Sequence, residues 1–273
     1  MSARAAGGRP RRSAPGRVRQ AAWHHPEWTL ALVAVACWAV LVALHLRGGG
    51  VAAGPAPGAA RASANATAMH HAAMHHATGQ PPEGTGGWLA AQGTWLLMAP
   101  AMMLPSALPA ARHVALNSRW RRRQRGGAVF AGAYLAVWLL FGLVAVSVAR
   151  LAGLPEGAGW PLAAALAVAA GWELTAAKRR CLRACHQTLP LPPDGWKADT
   201  ACARFGLRYG WACLGACWAL MLAMAIAGHA SLLLMVVLTT IVVAEEGLVK
   251  GTRLVGVAAL VLAATAATVA VAA

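Results

Sequence analysis

Four sulfur-bearing side chains share one face of the apolar run from Tyr209 to Ala227. They are Cys213, Cys217, Met221 and Met224, at successive spacings of four, four and three residues. At ~100° per residue these side chains fall within an arc of about 80° on an α-helix. Thiols and thioethers are soft ligands that select Cu(I). The run therefore predicts a soft-metal site on one face of an apolar helix.

A second sulfur-bearing run, 88–111, lies earlier in the chain. Met98 and Met102 are four residues apart and share a helix face, with Pro100 between them and Pro105 beyond. Proline has no N–H, so each proline leaves a carbonyl of the preceding turn without its helical donor. Irregular backbone of this kind suits a buried site. The alternative is that these methionines only fill gaps in a helix bundle.

The two runs are expected to bring their sulfur atoms to the same depth. Met102 lies nine residues before Arg112, and Cys217 lies nine residues after Arg208. Both positions are then ~13 Å from the same boundary at ~1.5 Å per residue. We therefore expect Cys213 and Cys217 to face the methionines of the earlier run.

Two further cysteines follow the fourth apolar run, Trp160 to about Ala177. Cys181 and Cys185 are four residues apart, so they share a helix face and can hold one metal. Neighbouring basic residues favour the thiolate form. The alternative is a juxtamembrane pair that has no function, or that carries palmitate in a eukaryote.

Acids and glycines in the apolar runs carry further predictions. Intramembrane acids are rare and usually functional, which makes Glu173 and Glu245 candidates for a metal ligand, a proton acceptor or a helix-pairing group. The adjacent Glu246 is expected to reach towards the membrane surface. Gly206 and Gly210 form a Gly-x-x-x-Gly pattern on the side of Cys213. That pattern predicts close packing against another helix.

The composition is that of an integral membrane protein. Of 273 residues, 59% are hydrophobic and 12% are charged, and soluble domains have about twice that charged fraction. Several uncharged runs approach the ~20 residues that cross a bilayer core. We therefore predict an all-α polytopic membrane helix bundle with about seven transmembrane helices, six being the alternative.

The chain divides into four predicted parts. Residues 1–27 form a basic leader, 28–46 a first transmembrane helix, 47–87 a polar loop and 88–273 the helix-bundle domain. Low hydrophobicity predicts disorder in the leader and the loop. The loop contains Met-His-His twice within 69–76, a candidate for weak metal capture outside the membrane.

Charge predicts the orientation. The net charge is +16, and 21 Lys and Arg residues lie on one predicted side of the bilayer against 3 on the other. The positive-inside rule then predicts a multi-pass protein of the plasma membrane with a cytoplasmic N-terminus. Because the basic residues flank apolar runs, we expect the lipid bilayer and no nucleic acid as a partner. No cysteine falls in a predicted outer segment, so a secreted disulfide framework is not expected.

Four segments resemble an uncharacterised bacterial family of predicted metal-binding integral membrane proteins. They are Trp95–Pro105, Lys178–Cys185, Gly206–Met221 and the pair Glu245–Glu246. The resemblance extends through most of 88–250 and implies a metal site built on the Cys/Met pattern, without specifying the metal. The chain departs from the family at Ala216, where the family usually has a second, adjacent cysteine.

Three functions follow from these patterns. The first is binding of a soft transition metal, above all copper as Cu(I), for handling or delivery across or within the membrane to a metal chaperone or metalloenzyme. The second is a thiol–disulfide redox protein, although both pairs have three intervening residues instead of two. The third is a transporter or assembly partner without a metal.

The candidate metal ligands are Cys213, Cys217, Met98, Met102, Cys181, Cys185, Met221 and Glu245. No hydrolase triad, phosphate-binding loop or nucleotide fingerprint is visible, so we do not expect an enzyme.

Overall fold

A computed structural model describes residues 26–49, 85–154, 159–193, 195–228, 231–247 and 254–272. The predictions for the basic leader up to residue 25 and for the Met-His-His repeats fall outside these residues. Within them, α-helices account for nearly all of the chain and no strand occurs. The predicted all-α helix bundle is therefore confirmed for the described part of the chain.

Eight α-helices and one short 3-10 turn make up the described structure. The helices are α1 Trp28–Gly49, α2 Thr85–Asn117, α3 Arg123–Leu151, α4 Gly159–Glu173, α5 Ala176–Cys185, α6 Trp196–Ala227, α7 Leu232–Gly247 and α8 Val255–Ala272, and the 3-10 turn Trp120–Arg122 precedes α3. Five of them, α1, α2, α3, α6 and α8, are long and apolar enough to cross a membrane. A sixth span exists if α4 and α5 are one broken crossing. Six spans agree with the lower of the two predicted counts. The helix α7 does not count as a seventh span, because its 16 residues are fewer than the ~20 residues of a crossing.

Two predicted helix boundaries differ from those observed. The fourth run is not continuous to Ala177, because the chain bends by 75° between α4 and α5. Thr175 caps the new helix: its hydroxyl accepts the backbone N–H of Lys178 at 3.2 Å. The fifth helix begins at Trp196 and not at Tyr209, since apolar residues at helical spacing already bury one face of residues 196–208.

The closest pair of helices at the centre of the bundle is α3 and α6. A side chain at Gly206 would meet the carbonyl of Phe130, and one at Gly210 would come within 3.0 Å of Val137. Only glycine lets the two backbones approach so closely. The packing predicted from the Gly-x-x-x-Gly pattern is thus confirmed, and α3 is the helix that meets it.

A proline-freed carbonyl in α2 receives a donor from α1. Pro105 lacks an N–H, so the Ala101 carbonyl has no partner within the helix. The Trp38 indole N–H donates to this carbonyl at 2.9 Å. The helix nevertheless runs unbroken through Pro100, Pro105 and Pro109.

The basic segments meet at one end of the bundle. The Arg119 N–H donates to the Pro193 carbonyl at 3.1 Å, and Arg125 pairs with Asp199 at 2.8 Å. The Gln124 amide donates to the Pro26 carbonyl at 3.1 Å, which places the start of α1 at the same end. These contacts bring the basic segments within 112–125 and 178–208 to one end of the bundle, whereas the leader up to residue 25 and the segment 250–253 lie outside the described residues.

Gly142→Ala in α3 is expected to lower the free energy of unfolding by about 1–3 kcal/mol, the usual effect of overpacking. Its new methyl group would overlap the Trp95 indole, whose N–H donates to the Trp138 carbonyl at 3.0 Å. Thermal unfolding in detergent measures the effect. Gly132→Ala is the matched control, since a methyl group on that residue of α3 has nothing within 4 Å. Equal melting temperatures for the two variants would contradict the interpretation.

Candidate metal centre

Cys213, Cys217 and Glu246 converge in the interior of the bundle. The Cys213 Sγ lies 3.3 Å from one carboxylate oxygen of Glu246, and the Cys217 Sγ lies 3.4 Å from the other. All three ligand atoms lie within 4.8 Å of one another. Two atoms bound to the same ion at ~2.3 Å are at most ~4.6 Å apart. Small side-chain movements would therefore let one ion contact all three.

The two helices that carry these ligands run antiparallel. Cys213 and Cys217 are one turn apart in the middle of α6, so their thiols emerge on one side. Glu246 lies at the end of α7 and reaches both thiols, which donate to its two oxygens. The three residues are 0%, 1% and 4% exposed. A carboxylate that would be costly alone in this interior is thus satisfied by two donors.

The expectation that Glu246 reaches the surface was wrong, and sequence reasoning missed it as a ligand. A usable signal was present. Met235, Leu238, Val242 and Glu246 follow one another at spacings of three, four and four residues, and all are buried. Glu246 therefore continues the buried stripe of α7.

Glu245, for which a metal ligand, a proton acceptor and a helix-pairing group were the alternatives, pairs α7 with another helix. Its carboxylate pairs with the Lys178 ammonium at 2.7 Å, and Glu173 pairs with the same ammonium. None of the three side chains is more than 1% exposed. The bend between α4 and α5 allows this, since Glu173 ends one helix and Lys178 lies in the next. The acid beside the thiols is thus Glu246, and Glu245 belongs to a separate ion cluster next to it.

Two buried tyrosines connect α2 to the metal centre. The Tyr134 hydroxyl of α3 lies 3.2 Å from the Cys213 Sγ and donates to the Met103 carbonyl at 3.1 Å. The Tyr209 hydroxyl of α6 donates to the Ser106 carbonyl at 3.3 Å. Met103 is thus level with Cys213, and Ser106 with Tyr209, so α2 and α6 run antiparallel. The sequence analysis did not single out Tyr134, because its role depends on which helices flank α3.

The predicted methionine ligands lie in the core. Met98, Met102 and Met221 are each at most 1% exposed. The helix α2 packs chiefly on α1, α3 and α7, and its polar links to α6 pass through the two tyrosines. The three methionines are therefore buried in the core. The contacts of Tyr134 and Tyr209 show which residues of α2 lie level with which residues of α6.

The structure does not bring Cys181 to the thiol pair. A side chain at Gly215 would lie 2.6 Å from the Cys181 Sγ, so Cys181 packs against α6 at that residue. Gly215 is two residues from both Cys213 and Cys217, which is ~160° around the helix from each. Cys181 therefore touches the opposite side of α6. Cys185, one turn further along α5, is 7% exposed.

Comparison with known proteins agrees with a metal site. A protein-family model described as copper chaperone (PpoB2) matches residues 92–269, which is 178 of the 273 residues. The matched region contains all three converging ligands. No curated protein and no solved structure matches the chain.

Proposed function

Since the chain belongs to the copper chaperone family PpoB2, we propose that it is an integral membrane protein that holds Cu(I) and passes it on. Copper is the cargo, bound between Cys213, Cys217 and Glu246. The observation that carries this proposal is the convergence of two buried thiols on one buried carboxylate. The role is binding and transfer of an ion, without catalysis.

The donor set favours a soft cation. Two of the three converging atoms are sulfur, and thiolates select Cu(I), zinc or iron–sulfur clusters over Mg²⁺, Ca²⁺ and Mn²⁺. Calcium takes six to eight oxygen ligands and magnesium requires octahedral oxygen coordination, neither of which this centre offers. Structural zinc sites usually have four thiolate or imidazole ligands, and the described centre offers two thiols and one carboxylate, so the family and the donor set favour Cu(I).

The balance of buried charge also favours a bound cation. Among the described residues, Glu173, Glu245 and Glu246 share this interior with one ammonium, that of Lys178. A buried charge without a partner is costly in apolar surroundings. A cation held by Glu246 and the thiols would offset negative charge that Lys178 alone cannot neutralise.

Methionines of α2 are proposed as additional ligands. The two tyrosine contacts relate Met103 to Cys213 and Ser106 to Tyr209. Continuing this antiparallel register by one turn brings Met102 near the height of Cys213, and Met98 near that of Cys217. A thioether at either height would complete a sulfur-rich shell around Cu(I).

Transfer is proposed to run between the two ends of the bundle. We infer that the basic end is cytoplasmic, by the positive-inside rule, and that the protein lies in the bacterial inner membrane. Cys185 and Cys181, both on α5, would serve as a relay to a metal chaperone or metalloenzyme. The Met-His-His repeats would collect copper at the opposite side.

Glu246→Gln is expected to lower Cu(I) affinity by at least about 10-fold, because even the outer partners of metal ligands typically contribute 10–100-fold. Affinity is measured on the purified full chain in detergent, by anaerobic competition with a chromophoric Cu(I) chelator. Zn²⁺ as a competitor tests metal preference.

Glu245→Gln is the matched control for this experiment. It makes the same change one residue away, on an acid that pairs with Lys178, so its Cu(I) affinity should stay within a few-fold of wild type. Equal loss in both variants, or a wild-type chain that binds no Cu(I), would contradict the proposed function.

A further inference from the structure

The described residues contain six methionines, and every one is buried. They are Met98, Met102, Met103, Met221, Met224 and Met235, none more than 1% exposed. Three of them lie on α2 and three on the helices that carry the thiols and Glu246. The second group, on α6 and α7, extends from the metal centre towards the connection between these helices.

The contact between Cys213 and Glu246 shows how α6 and α7 face each other. Only residues 228–231 connect the two helices, which run antiparallel. Met224 lies eleven residues after Cys213, and Met235 lies eleven residues before Glu246. Eleven residues make three turns plus ~20°, with a rise of ~16 Å. Met224 and Met235 are therefore at the same height, each on the face that carries Cys213 or Glu246.

Met221 fills the interval between this pair and the thiols. It lies four residues after Cys217 and three before Met224. Residues three or four apart on a helix have Cβ atoms ~5–6 Å from each other. The face of α6 thus presents a sulfur atom at each turn from Cys213 to Met224.

We propose that Met224 and Met235, with Met221 beside them, form a second Cu(I) site ~11 Å from Cys217 and ~16 Å from Cys213 along the helix axis. This inference rests on the proposed function, because it supplies the ion that the thiols receive. Thioethers are soft ligands suited to Cu(I), whereas zinc is bound by thiolate, imidazole and carboxylate. A site made of thioethers alone therefore admits Cu(I) and excludes zinc. Thioethers carry no proton, so Cu(I) binds there without the proton release that thiol ligands require.

The second site lies at the end of the bundle away from the basic segments. The helix α6 starts at the basic end, where Asp199 pairs with Arg125 at 2.8 Å, and it ends at Ala227 beside the thioethers. Under the proposed orientation this end faces outwards. Copper would reach the thioethers first and then the thiols, one helical turn at a time.

Selenomethionine labelling tests the second site directly. The full labelled chain in detergent, with the Met and His residues of 69–76 replaced by Ala so that the repeats bind no copper, is loaded with one and then two equivalents of Cu(I), and X-ray absorption at the copper edge reports copper–selenium scattering. The second equivalent is expected to add such scattering. Met224→Leu with Met235→Leu should abolish both that increment and the second equivalent, while the first equivalent stays on the thiols.

Met103→Leu is the matched control, since Met103 is equally buried and undergoes the same substitution. Met-to-Leu changes in a core usually cost less than ~1.5 kcal/mol, so these variants should remain folded. The second site would be overturned if the wild-type chain bound no second equivalent of Cu(I), or if the double variant still bound that equivalent. A wild-type chain that does not bind even the first equivalent of Cu(I) would instead contradict the proposed function.

Discussion

Cys213→Ser combined with Cys217→Ser is expected to lower Cu(I) affinity by more than about 100-fold, since outer-shell changes alone can cost that much. Serine keeps the size of the side chain but replaces a soft sulfur donor by a hard oxygen. Both thiols point at Glu246, at 3.3 and 3.4 Å, so the double variant removes two of the three converging ligands. Competition with a Cu(I) chelator, on protein purified under reducing conditions, gives the affinities.

Cys202→Ser is the matched control for the loss of thiols. Cys202 lies on the same helix as Cys213, eleven residues earlier, and is 1% exposed. The control should bind Cu(I) like the wild type. A double Cys213/Cys217 variant that binds one Cu(I) with wild-type affinity would exclude this centre, and an equal loss in Cys202→Ser would indicate an effect on folding instead.

Lys178→Met is expected to destabilise the protein by about 3–5 kcal/mol, the usual result of removing one partner from a buried ion pair. Lys178 is fully buried and pairs with both Glu173 and Glu245. Its loss leaves two carboxylates close together in an apolar interior, without a cation. Thermal or denaturant unfolding of the purified chain in detergent measures the change.

Two controls distinguish the effect of removing a buried charge on stability from the effect of a Lys-to-Met substitution as such. Lys197→Met makes the same substitution at an exposed residue of α6, where effects usually stay within about 0.5 kcal/mol. Adding Glu173→Gln and Glu245→Gln to Lys178→Met should restore much of the lost stability, because the unpaired charges are then removed. Equal stability of Lys178→Met and Lys197→Met would show that the cluster does not support the fold.

Local spacing was sufficient for several features of the site. The four-residue interval between Cys213 and Cys217 predicts two thiols on one face, and the structure shows them on one carboxylate. Gly206 and Gly210 predicted a closely packed helix, and Pro105 predicted a freed carbonyl. Each of these features depends on residues within one or two turns of the same helix, where the backbone geometry is known in advance.

Spacing along the sequence does not decide which of the two adjacent acids of α7 meets the thiols. Glu245 and Glu246 differ by ~100° around α7, and both belong to its buried side. One meets Lys178 and the other meets the thiols. The partner of each acid depends on where α5 and α6 lie around α7. The bend between α4 and α5 places Lys178 beside Glu245.

The sequence by itself determined the class of fold and the soft donors of the site. Low charge and long apolar runs predict a bundle of helices that could cross a membrane, because backbone polar groups there must be satisfied within each helix. Helical periodicity then decided which side chains share a face. Which faces meet depends on how the helices pack. Packing brings Glu246 to the thiols, puts Cys181 on the opposite side of α6, and pairs Glu245 with Lys178. Those pairings depend on helix order, height and rotation, which arise from packing between segments far apart in the chain.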